Sequence, residues 1–125
     1  MGMIRKRLTL VGRRRNKQVE CLFDTGASSS FIRPELARAM GVPTVGLLKP
    51  LRIRLGKGST QVSRIAAVMI QLNGSTLADT AYVMPGLSED YVLGVKFLER
   101  YNIQLDPKRR RLLLPPKKDL SLIFV

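Results

Sequence analysis

The sequence predicts a mostly β fold, a closed or partly closed barrel with two short helices. Many short stretches alternate apolar and polar residues with a period of two, which is typical of strands, and only two short segments carry apolar residues at helical spacing. Asn73-Gly74, a strong hairpin signal, joins two long stretches of strand type. At 125 residues the chain is long enough for one modest core and too short for two lobes, so we expect one domain.

The first half of the chain predicts a hairpin, a loop and a helix. Strands are expected over residues 4–11 and 19–23, a basic turn over residues 12–18, and a helix over residues 34–40. Asp24 lies where the second strand ends and a loop of small residues begins. Pro34 suits the first turn of the helix, and Gly41 suits a left-handed cap at its end.

The second half predicts more strands and a second helix. Strands are expected over residues 51–55, 61–72, 75–84, 103–105 and 112–114, a loop over 85–89, and a turn over 106–109. The second helix is expected over residues 95–101, directly after Gly94, because Phe97, Leu98 and Tyr101 have helical spacing. Between the first two of these strands, residues 56–59 predict the flexible tip of a projecting two-stranded ribbon.

Composition excludes several kinds of site. The chain has no histidine, which removes Ser/His, Cys/His and histidine-ligated metal chemistry, and its single cysteine, Cys21, excludes an internal disulfide. We interpret Cys21 as a buried small apolar residue rather than a redox sensor. The longest apolar run, residues 65–70, is far below the roughly 20 residues that a membrane span needs, and no signal peptide is visible. We therefore expect a soluble cytoplasmic protein without membrane partners.

The net charge is strongly positive. Lys and Arg number 22 against 9 for Asp and Glu, which gives +13, and the basic residues cluster at 5–17 and 108–118. Such a balance favours contact with nucleic acid or other acidic partners. The alternative is that these residues are solvated turns and edge strands kept soluble by charge.

Asp24 is the candidate functional carboxylate, in the stretch LFDTGASS. Taken alone, an Asp-Thr-Gly tripeptide is explained by a turn in which the Asp side chain accepts hydrogen bonds from nearby backbone amides. A catalytic interpretation therefore needs more than the tripeptide.

Two longer segments supply that addition. LFDTGASSSFIRPELARAMGVP and, later, YVLGVKFLERYNIQLDPKRRRLLL resemble the retroviral and retrotransposon aspartic proteases, especially the single-domain type of Ty3/gypsy-like elements and their cellular and prokaryotic relatives. The resemblance covers residues 19–114. It implies a retropepsin-like acid-protease barrel with a flap hairpin and one lobe per chain, a protease domain over residues 1–114 and a C-terminal tail over residues 115–125.

The resemblance also implies roles for the loop after the second strand. Asp24 matches the catalytic aspartate. Thr25 matches the residue whose hydroxyl ties two such loops together across a dimer, and Gly26 matches the residue that lets backbone and water approach the carboxylates. Ala27 and Ser28 continue the loop along the substrate backbone.

Two further segments acquire roles from the same resemblance. Val92, Leu93 and Gly94 match the apolar pair and glycine that pack beneath the active-site loop. The ribbon over residues 55–62 matches the flap that closes over substrate. Its tip comprises Leu55, Gly56, Lys57, Gly58 and Ser59.

The implied activity is that of an aspartic endopeptidase, in which two carboxylates share a proton and activate a water without metal or cofactor. This chain has a single DTG, and Asp79, Asp90, Asp106 and Asp119 lack the flanking Thr-Gly. The resemblance therefore implies a homodimer in which each chain supplies Asp24, acting on a peptide or polyprotein. The tail from Lys117 to Val125 could join the dimer interface, stay disordered or pack on its own subunit.

Departures from the family pattern leave a second hypothesis open. An acidic residue and an arginine that often pair near the retroviral interface are replaced here by Ser28 and Val95, and Lys96 replaces an acidic position. The flap has no aromatic residue. Lys57 near its tip either favours acidic or polar substrate segments or is simply a solvated lysine in a hairpin turn. The alternative function is a catalytically silent fold that acts as a basic nucleic-acid-binding or assembly module.

Overall fold

In the computed structural model, residues 2–116 are described. The elements are β1 (Met3–Val11), β2 (Asn16–Asp24), β3 (Ser30–Ile32), α1 (Pro34–Met40), β4 (Thr44–Arg54), β5 (Ser59–Leu72), β6 (Ser75–Val83), β7 (Tyr91–Leu93), α2 (Val95–Arg100), β8 (Gln104–Asp106), a 3-10 turn (Pro107–Arg109) and β9 (Arg111–Leu113). Within this range no helix is long and apolar enough to cross a membrane.

Six strands close into a barrel in the order β1-β2-β7-β3-β6-β5, because β5 pairs back onto β1. The short strand β7 runs parallel to β2 and antiparallel to β3, and β3 runs parallel to β6. Strand β4 pairs only with β5 and carries the ribbon outward, while β8 and β9 form a separate hairpin. The predicted mostly β barrel with a flap hairpin and two short helices is confirmed.

The interior is filled by alternating strand residues and one face of each helix. Fully buried large side chains include Leu10, Phe23, Ile32, Met40, Ile70, Leu77, Tyr91, Leu93 and Phe97. Because side chains alternate across each strand, the residues between the buried ones on β5 are exposed or partly exposed. The core thus fixes the register of β2 and β7, the two strands that lead into the candidate site.

Helix α1 has the bounds that the sequence predicts. Pro34 begins it, and Gly41 ends it at φ 68° with its amide bonded to Ala37 O at 3.0 Å. This is the left-handed cap that glycine adopts without strain. Helix α2 ends at Arg100, one residue earlier than predicted, and the Tyr101 hydroxyl bonds the backbone of Ala78 on β6.

The two largest errors in the strand boundaries predicted from the apolar pattern are at the starts of β2 and β4. Strand β2 begins at Asn16 rather than at residue 19, since polar residues 16–18 pair with the end of β1 through their backbones. Strand β4 begins at Thr44 rather than at residue 51, with an irregularity between Gly46 and Leu51. Both extensions are exposed, so backbone pairing defines them without an apolar pattern. The tail from Lys117 onward lies outside the described residues.

Candidate active site

Asp24 is the last residue of β2, half-buried, and directly follows the buried Leu22 and Phe23. Its Oδ1 accepts a hydrogen bond from the Gly26 amide at 2.8 Å, and its carbonyl accepts one from the Ala27 amide at 3.2 Å. The turn-capping contact expected of an isolated Asp is therefore present. It does not exclude catalysis, because a carboxylate has about four acceptor positions.

Thr25 is held by a residue that sequence reasoning missed. Its hydroxyl accepts a hydrogen bond from Gly2 N at 2.7 Å and donates one to Gly2 O at 3.1 Å, while the Thr25 amide also donates to Gly2 O. A Cβ on Gly2 would lie 2.4 Å from Cγ of Pro107, so only glycine fits between the loop and the 3-10 turn. The beginning of the chain is thus packed against the candidate loop.

Gly94 allows β7 and α2 to approach the loop from below. A Cβ there would lie 2.4 Å from Ser29 O and 2.8 Å from Ala27 O, both of which are backbone atoms. The next two amides, of Val95 and Lys96, donate to Ala27 O at 2.8 Å and to Ser28 O at 3.2 Å. Amides in the first turn of a helix have no partner within the helix, so they are free to hold a loop. Residues 27–29 therefore take their conformation from the start of α2.

The apolar pair Val92 and Leu93 is buried in the strand that supports this arrangement. Leu93 pairs with Phe23 and Val92 pairs with Leu22, so the end of β7 lies beside the end of β2. The structure thus brings the predicted segments 24–28 and 92–94 together.

A buried polar network beneath the loop was missed by sequence reasoning. Ser30 accepts a hydrogen bond from Gly94 N at 3.2 Å, and the Tyr91 hydroxyl donates to Oδ2 of Asp79 at 2.7 Å. Burial raises the pKa of Asp79 above 3.8, and hydrogen bonds from Ser30, Tyr91 and the Thr80 backbone only partly offset this. The alternation of β6, which buries Leu77 and Ala81, was the signal that Asp79 points inward.

A second missed contact fastens the loop that precedes β7. Arg33 forms an ion pair with Asp90 at 3.1 Å, donates through Nε to Leu87 O at 3.2 Å, and also bonds Ser88 O. Its own amide donates to Asp90 O. Residues 87–90 are therefore held against Arg33, the residue that precedes α1, which sets where β7 enters the site.

The ribbon formed by β4 and β5 projects as predicted, and its tip is exposed. Arg54 pairs with Ser59, the Leu55 amide donates to Gly58 O at 3.0 Å, and Gly58 has φ 79°. Gly56 and Lys57 lie at the turn, and a Cβ on Gly56 would meet no atom within 4 Å. Near the base of the tip, the Thr60 hydroxyl donates to Pro85 O at 3.3 Å.

Comparisons with known proteins agree with this arrangement. The family model described as "gag-polyprotein putative aspartyl protease" matches residues 12–100. DNA damage-inducible protein 1 from Neurospora crassa and from Chaetomium globosum are each 26% identical over 98 residues, which is 78% of this chain and 22% of theirs. The chain thus spans less than a quarter of the length of these curated relatives.

Solved structures share the fold at low sequence identity. The retroviral protease-like domain of Ddi1 from Leishmania major has a TM-score of 0.65 at 18% identity and covers 93% of this chain and 90% of its own. EIAV protease, solved with an inhibitor, has a TM-score of 0.62 at 16% identity and covers 82% and 92%. With a family model that matches well over half of its residues, the chain belongs to the gag-polyprotein aspartyl protease family and has a retropepsin-like fold.

Proposed function

We propose that this protein is an aspartic endopeptidase whose site is completed by two copies of the chain, each of which supplies Asp24. The observation that carries the proposal is the support of the Asp24 loop. The carboxylate ends a buried strand, and the backbone that follows it is held by the first amides of α2 above a glycine that has no room for a side chain. Catalytic groups need such fixed placement.

The chemistry follows from two carboxylates held close together. Both cannot ionise cheaply, so the pair shares one proton. One Asp24 then acts as a general base toward a bound water, and the other acts as a general acid toward the peptide carbonyl. The water attacks the carbonyl carbon as its proton passes to the base and the shared proton passes to the carbonyl oxygen. The proton taken from water is then delivered to the amine nitrogen as the C–N bond breaks, and a hydroxyl of the intermediate returns a proton to the pair of carboxylates. Gly26 and Ala27 add no bulk beside the carboxylate, which leaves room for water and the substrate backbone.

The homodimer is proposed because the sequence contains one DTG. A cavity of about 360 Å³ opens beside Thr25, Val95 and Leu98. We assign residues 1–114 to the protease domain and residues 115–125 to a C-terminal tail. The flap tip, Leu55 to Ser59, closes over a peptide or polyprotein substrate.

The test compares wild type with Asp24→Asn on a peptide library from acidic to neutral pH, with sedimentation of the same samples. We expect cleavage by wild type, its loss in Asp24→Asn, and the same dimer in both. Glu20→Gln is the matched control, since Glu20 is an exposed acid on the same strand. A folded wild-type dimer that cleaves nothing would overturn the proposal, and so would equal cleavage by wild type and Asp24→Asn.

A second candidate function, nucleic-acid binding by a silent fold, is favoured by one specific observation. The β1–β2 hairpin exposes Arg5, Lys6, Arg7, Arg13, Arg14, Arg15 and Lys17. This second function predicts nucleic-acid binding whose affinity falls steeply as salt is raised and is the same in Asp24→Asn as in wild type. The two functions are compatible, because a protease can work on a polyprotein that is itself bound to nucleic acid.

A further inference from the structure

We propose that the cavity lined by Arg14, Arg38 and Arg64 is a phosphate site that docks the backbone of a nucleic acid. The cavity, of about 450 Å³, lies between the turn of the β1–β2 hairpin, the end of α1 and the paired strands β4 and β5. It is separate from the Asp24 loop and from the three residues at its support, Gly94, Val95 and Lys96. The proposal therefore does not depend on proteolysis.

Folding brings the first arginine there through close backbone packing. The turn of the hairpin lies on the C-terminus of α1, where the Arg14 amide donates to Met40 O at 2.9 Å. A Cβ on Gly12 would lie 2.3 Å from Met40 O, and a Cβ on Gly41 would lie 2.6 Å from Cγ of Arg14. Both glycines thus permit the contact, and the aliphatic stem of Arg14 passes over Gly41 into the cavity.

The other two arginines come from different elements. Arg38 lies in the last turn of α1 and is exposed. Arg64, on β5, is oriented by Thr44, because its Nε donates to the Thr44 hydroxyl at 3.0 Å and its Nη2 donates to Thr44 O at 3.3 Å. Its Nη1 takes part in neither bond. Three arginines from three separate parts of the fold therefore line one cavity.

The cavity carries uncompensated positive charge. Among residues 2–116, the ion pairs involve Arg5, Arg33, Arg109 and Arg111 and none of the three cavity arginines. No Asp or Glu of the described chain lines the cavity. Free carbonyl groups at the end of α1 would repel an anion. The carbonyls of Ala37, Arg38 and Met40, however, already accept hydrogen bonds from backbone amides in the hairpin turn and just after the helix. A helix end is worth about half an elementary charge at most, against three full cations.

The side-chain chemistry points to phosphate. Guanidinium presents a planar fork of donors that matches phosphate oxygens in pairs, and arginine rather than lysine supplies all three cations here. Pro34, Ala37, Val42 and Val83 form an apolar wall, which suits the sugar beside a phosphate. Because no aromatic side chain among residues 2–116 lines the cavity, we expect contact with the nucleic-acid backbone without base reading.

A polymer is favoured over a free phosphate because charge continues past the cavity. Arg13 and Arg15 are exposed in the same hairpin turn, and Lys17 is exposed at the start of β2. The net charge of +13 supplies long-range attraction to such a chain.

The test measures binding of a fluorescent single-stranded RNA of about 20 nucleotides at several salt concentrations. We expect Arg38→Gln combined with Arg64→Gln to weaken binding about tenfold near 0.1 M salt and to reduce the salt slope by about 1.4. The matched control is Arg54→Gln combined with Lys57→Gln, which removes the same charge from exposed positions outside both basic clusters. The control is expected to change binding less than threefold.

Further variants separate guanidinium recognition from charge and from folding. Arg14→Lys keeps the stem over Gly41 and the charge, and it should still weaken RNA binding while leaving the unfolding midpoint unchanged. Equal effects of the two double variants would overturn the proposal, as would RNA binding insensitive to both. The proposal would also be overturned if the arginine substitutions weakened binding only to anionic phosphatidylserine vesicles, or only to inorganic phosphate, and not to RNA. Asp24→Asn should bind RNA as wild type does, so failure here and failure of the protease proposal are distinguishable.

Discussion

The Tyr91 hydroxyl donates a hydrogen bond of 2.7 Å to Asp79 Oδ2 in the interior of the barrel. The two residues lie on β7 and β6, which are separated by β3, and Ser30 of β3 contributes a second side-chain hydrogen bond to Asp79. Ser30 in turn accepts from the amide of Gly94 beneath the Asp24 loop. Asp79 takes no part in the proposed chemistry, but through Ser30 it is linked to the backbone that positions Asp24.

Asp79 should give the protein a pH dependence of a defined sign. Burial raises its folded pKa above 3.8, and the charge of Arg100 opposes this only weakly. The native state therefore binds more protons than the unfolded state between that folded pKa and about 3.8, so stability rises as pH falls through this window and is lost as pH rises through it. Urea unfolding across pH should show this slope in wild type and not in Asp79→Asn.

Asp106 provides a control of the opposite sign. The Arg109 side chain lowers the pKa of Asp106, so its stabilisation is present above 3.8 and is lost as pH falls below that value. Asp106→Asn should remove that loss and leave the window above 3.8 unchanged. Identical pH profiles for wild type and Asp79→Asn would show that the raised pKa has no effect on folding.

Tyr91→Phe should destabilise the fold while preserving its packing. The change removes one donor from a buried carboxylate, which costs about 1–3 kcal/mol. The destabilisation caused by Tyr91→Phe should be smaller in an Asp79→Asn background, because the asparagine buries no charge that needs the hydroxyl donor. A double-mutant cycle by chemical unfolding measures this coupling, expected at about 0.5–3 kcal/mol. Additive effects of Tyr91→Phe and Asp79→Asn would contradict a direct interaction.

Local signals in the sequence were sufficient for much of the fold. Pro34 and Gly41 mark the start and the end of α1, because capping depends only on residues close in sequence. Asn73-Gly74 forms the turn between β5 and β6, with φ above 0 at both positions. The first residues of β2 and β4 were missed because exposed strands need no apolar pattern. Contacts such as Arg33 to Asp90 join residues distant in sequence, so no local pattern reports them. The roles of residues 24–28 came from the family resemblance and remain predictions.

Cys21 should be inert in the native protein. It is fully buried on β2, and burial, with smaller contributions from Asp90 and Glu20, raises the pKa of its thiol to about 12. Since the thiolate is the reactive form, a thiol reagent at mildly alkaline pH should label the chain only after unfolding in urea. Because the chain has one cysteine, the signal has one source. Rapid stoichiometric labelling of folded protein would contradict the buried placement.

Gly94→Ala should disturb the candidate loop more than its one added methyl group suggests. The new Cβ would lie 2.4 Å from Ser29 O and 2.8 Å from Ala27 O. Ala27 O accepts the hydrogen bond from the Val95 amide, so its displacement would strain that bond. Overpacking of this kind costs about 1–3 kcal/mol, so we expect a lower unfolding free energy in urea and faster amide exchange at Val95 and Lys96. The matched control for unfolding is Gly56→Ala, where a Cβ would meet no atom within 4 Å. Equal stability of the two variants would mean that the loop tolerates displacement and that Gly94 does not set its position.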